Sequence, residues 1–341
     1  MGEVFIGTSA YASADTGLMR QAGIGWVRQG VRFPFVDRIG GRISDEYLKS
    51  KAAIQRFVDA GLRVMVNTPN PGIGTYEKDA AGKLVLNWHD RLPAWCGPLG
   101  SDQFLRSYEE MCAWLAQDLK GMVPLWQVAN ELDIQQFAGP LNPRQACDLI
   151  AAGARGLKSA DPSVLVGHNP AGGANAGYFF GYLYGRRDGL LDYCGIDGYY
   201  GTWAPGSPDS WSRRIEEIHH LTGLPVLVNE WGFSSAGGVM DEEEAQRNAP
   251  VCAVKKWRHT WGAGHTPEGQ AQFVRATFEA FRTQRQHLLG VFFYRWEDQE
   301  RCWQCGAPDC PAETAWGLVD LQGRPKPAFY AFREGAARLA E

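Results

Sequence analysis

The chain has 341 residues, of which 45% are hydrophobic and 21% are charged, and its formal net charge is −4 at pH 7. The apolar content is enough for a large core and excludes disorder over most of the chain. Because acidic residues slightly outnumber basic ones, the composition favours no attraction to nucleic acid or to an anionic membrane, and we expect neither partner.

The sequence has no segment typical of membrane insertion or export. Its longest apolar stretch, residues 288–294, is far shorter than the roughly 18 residues that a membrane span needs. The first residues, Met1-Gly2-Glu3, contain no basic region, and no apolar segment follows them. The absence of a signal peptide predicts a cytoplasmic chain, although the mature form of a secreted protein would have the same sequence.

Eight short apolar runs, rich in Val, Ile, Leu and aromatic residues, have the pattern of strands that are buried on both faces. These predicted strands are residues 4–7, 25–28, 63–67, 125–129, 164–167, 193–197, 226–229 and 290–295. Segments of helical periodicity lie between them, at residues 45–60, 102–120, 143–159, 208–222 and 267–286. Proline at the start of the last three fits the first turn of a helix.

This alternation of strand and helix predicts an α/β fold, a single (β/α)8 TIM barrel that occupies residues 1–341 as one domain. An open doubly wound sheet is less favoured, because no Gly-x-Gly-x-x-Gly follows the first strand. Two connections are long, residues 68–101 after strand 3 and residues 234–266 after strand 7. Long loops at the C-terminal ends of barrel strands usually shape the active site.

Two glutamates directly follow predicted strands, where barrel enzymes keep their catalytic residues. Glu131 follows strand 4 and Glu230 follows strand 7, each after an asparagine. One such glutamate alone is more simply explained as an acid in the first turn of the next helix. Two of them across a barrel are the pair that glycoside hydrolysis requires, one to protonate the leaving oxygen and one to attack or to activate water.

Several segments resemble the clan A glycoside hydrolases, which are retaining (β/α)8 enzymes. Val128-Ala-Asn-Glu131 and Val228-Asn-Glu-Trp-Gly232 are similar to the strand-4 and strand-7 signatures of the clan. Further similarity lies around Arg28, in Asp197-Gly-Tyr-Tyr200 and in Phe293-Tyr-Arg-Trp296. Within the clan the chain resembles families 5, 39 and 42.

The resemblance implies that Glu131 is the acid/base, that Glu230 is the nucleophile and that Asn130 donates to the sugar 2-hydroxyl. No organic cofactor is expected. The predicted substrate-binding residues are Arg28, Asn67, Asn130, His168, Tyr199, Tyr200, Trp231 and Trp296. For His168, a structural role in a hydrogen bond is an equally good interpretation, and Trp296 is predicted to form the floor of the sugar site.

The predicted function is therefore a retaining β-glycoside hydrolase that cleaves a β-linked polysaccharide or oligosaccharide of glucan or mannan type. Two alternatives stay open, an exo-acting β-glycosidase on small glycosides and a non-catalytic carbohydrate-binding barrel. Tryptophans on the predicted loops are candidate platforms for sugar rings. They are Trp88, Trp95, Trp203, Trp257 and Trp261.

Four of the eight cysteines lie on loops of neighbouring strands. Cys302, Cys305 and Cys310 follow strand 8, and Cys252 lies in the connection after strand 7. Strands 7 and 8 are adjacent in a barrel, so these loops can touch. Four thiolates are the ligand set of a closed tetrahedral zinc site, and we predict a structural zinc here. Disulfides, if the chain is exported, and free thiols are the alternatives.

Overall fold

A computed structural model describes residues 3–185 and 189–341. This part of the chain contains a sheet of eight parallel strands, with neighbours in the order β5-β4-β3-β2-β1-β8-β7-β6. The strands are β1 (Phe5–Ser9), β2 (Trp26–Gly30), β3 (Arg63–Asn67), β4 (Leu125–Gln127), β5 (Leu165–Gly167), β6 (Cys194–Gly198), β7 (Val226–Trp231) and β8 (Leu288–Phe293).

Backbone hydrogen bonds join the two outer strands of this sheet. The amide of Asp192 donates to Val166 O at 2.8 Å, and the amide of Gly195 donates to His168 O at 3.0 Å. These bonds link the β5 and β6 edges and close the sheet into a barrel. The predicted (β/α)8 barrel is confirmed.

Helices surround the barrel, and each of the five predicted helical segments is present. The α-helices are Thr16–Gln21, Asp45–Asp59, Asp102–Asp118, Gln135–Ala138, Pro143–Ala160, Ala176–Tyr184, Ser210–Thr222, Glu242–Gln246, Val251–Val254, Pro267–Thr283, Pro311–Thr314 and Pro327–Ala340. Single turns of 3₁₀-helix are Ala94–Cys96 and Arg285–His287. Within the described residues, none of these helices has the length and apolar character to cross a membrane.

Two helix starts show how the sequence sets these boundaries. Asn142 caps the Pro143–Ala160 helix by accepting from the Gln145 amide, and the Gln145 side chain accepts from the Asn142 amide. Thr266 caps the Pro267–Thr283 helix through the Gly269 amide. Both helices begin with proline, which has no amide hydrogen to leave unsatisfied in the first turn.

Side chains that alternate along the strands divide the core in two. One layer of large residues fills the barrel interior, and it consists of Trp26, Met65, Leu125, Tyr193, Leu227 and Phe292. Their strand neighbours Val27, Val64 and Val66 belong to the separate core that includes the surrounding helices. The residues two positions beyond the inner layer therefore also face the barrel axis, at the C-terminal end where the strands finish.

Three long connections rise from that end. Residues 68–101 form an antiparallel hairpin of Gly72–Lys78 and Leu84–Asp90. Residues 234–266 contain two short helices and a strand pair of two residues each, Gly238–Val239 and Lys256–Trp257. The sequence predicted these two connections, and the structure adds a third, residues 294–326 after β8.

Candidate active site

A cavity of about 840 Å³ lies at the C-terminal ends of the strands. Strand-end residues form its floor, and the three long connections form its walls. Six of the predicted catalytic and substrate-binding residues line it, and they are Arg28, Asn67, Asn130, Glu131, Glu230 and Tyr199, which directly follows β6. Asn67 contributes a buried side-chain oxygen that has no hydrogen-bond partner among the described residues.

Glu230 is held on both of its oxygens by the cavity floor. Arg28 donates from Nη1 to Oε1 at 2.5 Å, and the hydroxyl of Tyr199 donates to Oε2. Arg28 also donates to Asn130 Oδ1 at 2.6 Å and to Gln127 Oε1 at 3.1 Å. This arrangement suits a carboxylate anion, because both partners donate and one of them is a cation.

A β-bulge in β7 explains why two consecutive residues face the cavity. Val228 pairs with Ile196 and Glu230 pairs with Asp197, so Asn229 has no counterpart on β6. The Asn229 side chain donates inward to Gln127 at 2.7 Å, and Glu230 also reaches inward to Arg28. A bulge adds one residue to a strand and re-aims the side chains that follow it.

Glu131 lies beyond the end of β4, and its backbone has a positive φ angle, which is rare for residues other than glycine. Ala129 has φ +52° and Glu131 has φ +46°, and such left-handed residues cluster at functional sites. The carboxyl of Glu131 is buried. Burial, and then the negative charges of Glu230 and Asp133, raise the pKa of Glu131 well above its usual value, and a hydrogen bond with Asp197 opposes the shift.

Asp197 is a third carboxyl group of the site that the sequence analysis did not assign. One oxygen from each of Glu131, Asp197 and Glu230 lies within 4.8 Å of the other two. Asn169 donates to Asp197 at 2.6 Å and to Asn130 at 2.9 Å. Burial, followed by the charges of Glu230 and Glu131, raises the pKa of Asp197 well above its usual value. Asp197 lies four residues beyond the inner-layer Tyr193, and residues at even spacing on a strand point to the same face. This spacing could have placed Asp197 in the site.

The structure corrects the predicted roles of the two strand-end tryptophans. Trp231 is fully buried, and its ring packs against Phe278, Phe281 and Phe293 on the outer side of β7. Strand alternation turns it away from the cavity once Glu230 faces inward. Trp296 is also buried, with its ring edge-on to Phe329. Neither ring is placed to bind a sugar.

Trp296 lies outside the cavity because β8 ends two residues earlier than predicted. It ends at Phe293, so the residue at the rim is Tyr294, two positions beyond the inner-layer Phe292. Tyr294 lines the cavity, where its hydroxyl donates to Glu313 at 2.8 Å. Burial raises the pKa of Glu313 to about 7.

Two further predicted binding residues serve the scaffold. His168 is fully buried, and its Nδ1 lies 2.8 Å from Val128 O. Burial lowers the pKa of His168 to about 4, so the ring is neutral near pH 7. The ring of Tyr200 meets Trp211 edge-on at 5.1 Å in the helix layer, so only the first tyrosine of the pair faces the cavity.

Aromatic side chains line the cavity walls. Trp203, Trp303 and Trp316 contribute to the lining, and Trp203 remains 40% exposed. Among the five tryptophans that the sequence suggested as platforms, all of them in the described part of the chain, Trp203 is the one that lines the cavity. Trp257 is fully buried beside Trp203 instead, with its indole donating to Ala236 O at 2.8 Å.

Loops from opposite sides of the barrel meet above the floor. Phe137 follows β4 and Trp303 follows β8, and their rings lie 6.1 Å apart. The hairpin joins them: Tyr76 donates its amide to Gln304 O at 2.6 Å, and Gln136 donates to Gly74 O at 3.4 Å. We call the five of these residues that line the cavity the roof, and they are Tyr76, Gln136, Phe137, Trp303 and Gln304. Its contacts join the loops after β4 and β8 to each other and to the hairpin.

The four predicted cysteine ligands converge beside the cavity. The Sγ atoms of Cys252, Cys302, Cys305 and Cys310 all lie within 4.8 Å of one another. Cys305 is partly exposed and the other three are buried. Cys252 also lines the cavity wall, so the sulfur cluster and the cavity share a boundary.

Comparison with solved structures finds similar barrels. A GH5_18 protein from Streptomyces cattleya, in complex with GlcNAc, is 19% identical with a TM-score of 0.66, over 99% of this chain and 80% of that one. A GH10 xylanase from Thermobacillus composti is 17% identical with a TM-score of 0.64, over 98% and 97%. A glucosidase from Croceicoccus marinus is 14% identical with a TM-score of 0.65, over 99% and 68%.

At these identities the comparison establishes the shared barrel fold. No protein-family model and no curated relative matches the sequence.

Proposed function

We propose that the chain is a retaining β-glycoside hydrolase that acts on a β-linked glucan- or mannan-type carbohydrate. The observation that carries the proposal is the short distance between Glu131 and Glu230, whose nearest oxygens are within 4.8 Å. Carboxyl groups of retaining enzymes lie about 5–5.5 Å apart, whereas inverting enzymes need about 6.5–9.5 Å to admit a water molecule. The similar barrels that carry glycoside hydrolase names support the same class of reaction.

In the proposed reaction, a Glu230 oxygen attacks the anomeric carbon as the bond from that carbon to the leaving oxygen breaks. Glu131 gives its proton to the leaving oxygen. Water then attacks the anomeric carbon and gives a proton back to Glu131, which releases Glu230 as a carboxylate.

The electrostatics of the floor favour this division of roles. Arg28 and Tyr199 donate to the two oxygens of Glu230 and orient them, while the raised pKa of Glu131 keeps a proton available for the leaving group. When Glu230 becomes part of an ester, its negative charge disappears and the pKa of Glu131 falls. Glu131 then becomes a better base for the second step.

The roof favours exo action on small glycosides over cleavage inside a long polysaccharide. Phe137 and Trp303 come from opposite sides of the barrel and meet above the cavity, and the hairpin closes the gap between them. A long chain that lies straight across the floor would cross this contact. We therefore place the end of an oligosaccharide in the cavity, with its remaining units outside.

The test is a panel of aryl β-glycosides and β-linked oligosaccharides, with products followed by NMR and chromatography. We expect hydrolysis in which the first product has the β configuration and terminal sugars are released one at a time. An α product formed first would contradict the double displacement. Binding of the oligosaccharides without hydrolysis of any panel member would favour the non-catalytic barrel, and products of mixed length from the start would contradict exo action.

A further inference from the structure

We propose that Cys252, Cys302, Cys305 and Cys310 bind one structural zinc ion that joins the loops after β7 and β8. The proposal stands on the sulfur geometry alone and does not depend on the hydrolase reaction. Binding replaces four S–H bonds with four Zn–S bonds and releases the thiol protons to solvent, with no change of oxidation state.

The distances between the sulfurs match a tetrahedral site. With Zn–S bonds of about 2.3 Å, a regular tetrahedron places its sulfurs about 3.8 Å apart. The Sγ atoms of Cys252 and Cys302 are 3.9 Å apart, and those of Cys252 and Cys310 are 3.7 Å apart. Four sulfurs that all lie within 4.8 Å of one another leave room for one ion at their centre.

The local backbone brings two of the ligands to the same side. Cys302 and Cys305 lie on a tight turn in which the Gly306 amide donates to Cys302 O at 2.7 Å and the Cys302 amide donates to Ala307 O at 2.9 Å. Gly306 has φ +75°, a conformation that glycine adopts without steric cost. A Cys-x-x-Cys turn of this kind supplies two thiolates to one metal.

The other two ligands come from separate segments. Cys252 lies in the short helix Val251–Val254, and Cys310 directly precedes the helix Pro311–Thr314. The cluster is surrounded by apolar side chains, among them Met240, Trp257 and Trp316. Three ligands are therefore shielded from water, which suits a closed structural site rather than a catalytic one with an open position.

Pairing into disulfides explains this arrangement less well. A disulfide joins two sulfurs at about 2.05 Å and directs each pair away from the others. Here Cys252 lies at nearly equal distances from two sulfurs, and no disulfide joins any two of the four cysteines in the cluster. Convergence of all four on one point is the arrangement that a single cation of high thiolate affinity stabilises.

A zinc ion here would fix one wall of the cavity. Trp303 and Gln304 lie between two of the ligands, and both belong to the roof. Two long loops without a cross-link must be ordered by weak contacts alone, which costs conformational entropy. The site would hold the roof in place from the β8 side.

The test is elemental analysis of the intact protein, expressed in zinc-containing medium and purified without added metal or chelator. We expect about one zinc per chain. Cys302→Ser and Cys310→Ser should retain at least about tenfold less zinc after dialysis against a chelator. Cys96→Ala, which removes a buried cysteine outside the cluster, is the matched control and should retain as much zinc as the unaltered protein.

Measurements on the unaltered chain keep the proposal testable even where a variant fails to fold. Metal-free protein with four thiols that alkylate rapidly in the cluster would overturn it, and so would disulfides among these cysteines in the intact mass. Iron at the same stoichiometry would overturn the assignment to zinc. Chelation should lower the melting temperature by roughly 5 °C or more, and an unchanged melting temperature after complete zinc removal would contradict a structural role.

Discussion

Two clusters of reactive side chains lie side by side at the top of the barrel, and they are built in opposite ways. The carboxyl cluster of Glu131, Asp197 and Glu230 stands on or directly after the barrel strands, and hydrogen bonds from Arg28 and its neighbours fix it. The sulfur cluster stands on two loops and short helices. A paired sheet positions side chains by itself, whereas loops of this length need a cross-link to hold four groups together.

Removal of the carboxyl groups should have the greatest effect on activity. Glu230→Gly and Glu131→Ala should each lower kcat on an aryl β-glycoside by roughly 10⁴-fold, because each removes a group that makes or breaks bonds. Azide should restore part of the activity, giving the α-glycosyl azide with Glu230→Gly and the β-glycosyl azide with Glu131→Ala.

Product configuration is read by NMR, and Glu242→Ala, which removes an exposed acid of the Glu242–Gln246 helix, controls for loss of an acidic residue in general. Wild-type activity in both glutamate variants would show that the carboxyl cluster is not the site of chemistry.

A substitution of Trp296 tests whether this ring packs in the core or binds the sugar. Trp296→Ala should lower the free energy of unfolding by about 3–5 kcal/mol, because a large buried ring leaves a cavity. The folded fraction should keep kcat/KM within a few-fold of the unaltered protein.

Trp203→Ala is the matched comparison, since Trp203 is exposed and lines the cavity, and it should raise KM with little change in stability. Thermal unfolding and steady-state kinetics separate the two. A Trp296 variant with unchanged stability and a large loss of kcat/KM would return that ring to the sugar site.

The two consecutive tyrosines after β6 test the role of one hydroxyl group, because only the Tyr199 hydroxyl donates to Glu230. Tyr199→Phe removes the hydroxyl that donates to Glu230 and should lower kcat about 10- to 100-fold. Tyr200→Phe should leave kcat unchanged, because the Tyr200 ring packs against Trp211. Equal effects of the two substitutions would contradict the side-chain directions described above.

A more subtle change is expected in the pKa of Glu131, which burial and then the charge of Glu230 raise. Activity should fall as the pH rises through this pKa, because the leaving oxygen needs the protonated form. Glu230→Gln removes the negative charge, so the pKa of Glu131 should fall. Carbon NMR of the labelled side chain would measure it. Glu313→Gln, which alters another buried acid of the same cavity, should leave the pKa of Glu131 unchanged.

The sequence predicted the barrel well because its strands are apolar runs of nearly constant length, separated by helices with clear starts. It also placed Glu131 and Glu230 at the ends of β4 and β7. Side-chain direction was harder to predict, because it depends on register. The prediction for Trp296 was wrong because β8 ends at Phe293, and a shift of two residues replaces the residue at the rim.

The bulge at Asn229 also changes side-chain directions in a way that the sequence did not predict. An extra residue in β7 lets Asn229 and Glu230 both face inward and turns Trp231 outward, and no local residue preference announces it. Asp197 was overlooked for a different reason: it lies inside a strand segment rather than after it, so only strict alternation from Tyr193 would have placed it in the cavity.

The roof has a consequence for how substrate is processed over many turnovers. If the proposed exo action holds, the contact between Phe137 and Trp303 would prevent a polymer from being threaded through the cavity and advanced by one unit after each cleavage. If the proposed reaction holds, shortened chain and released sugar both leave through the entrance, and the next turnover begins with a fresh encounter. Such a distributive enzyme would generate reducing ends steadily while the viscosity of a polysaccharide solution hardly changes.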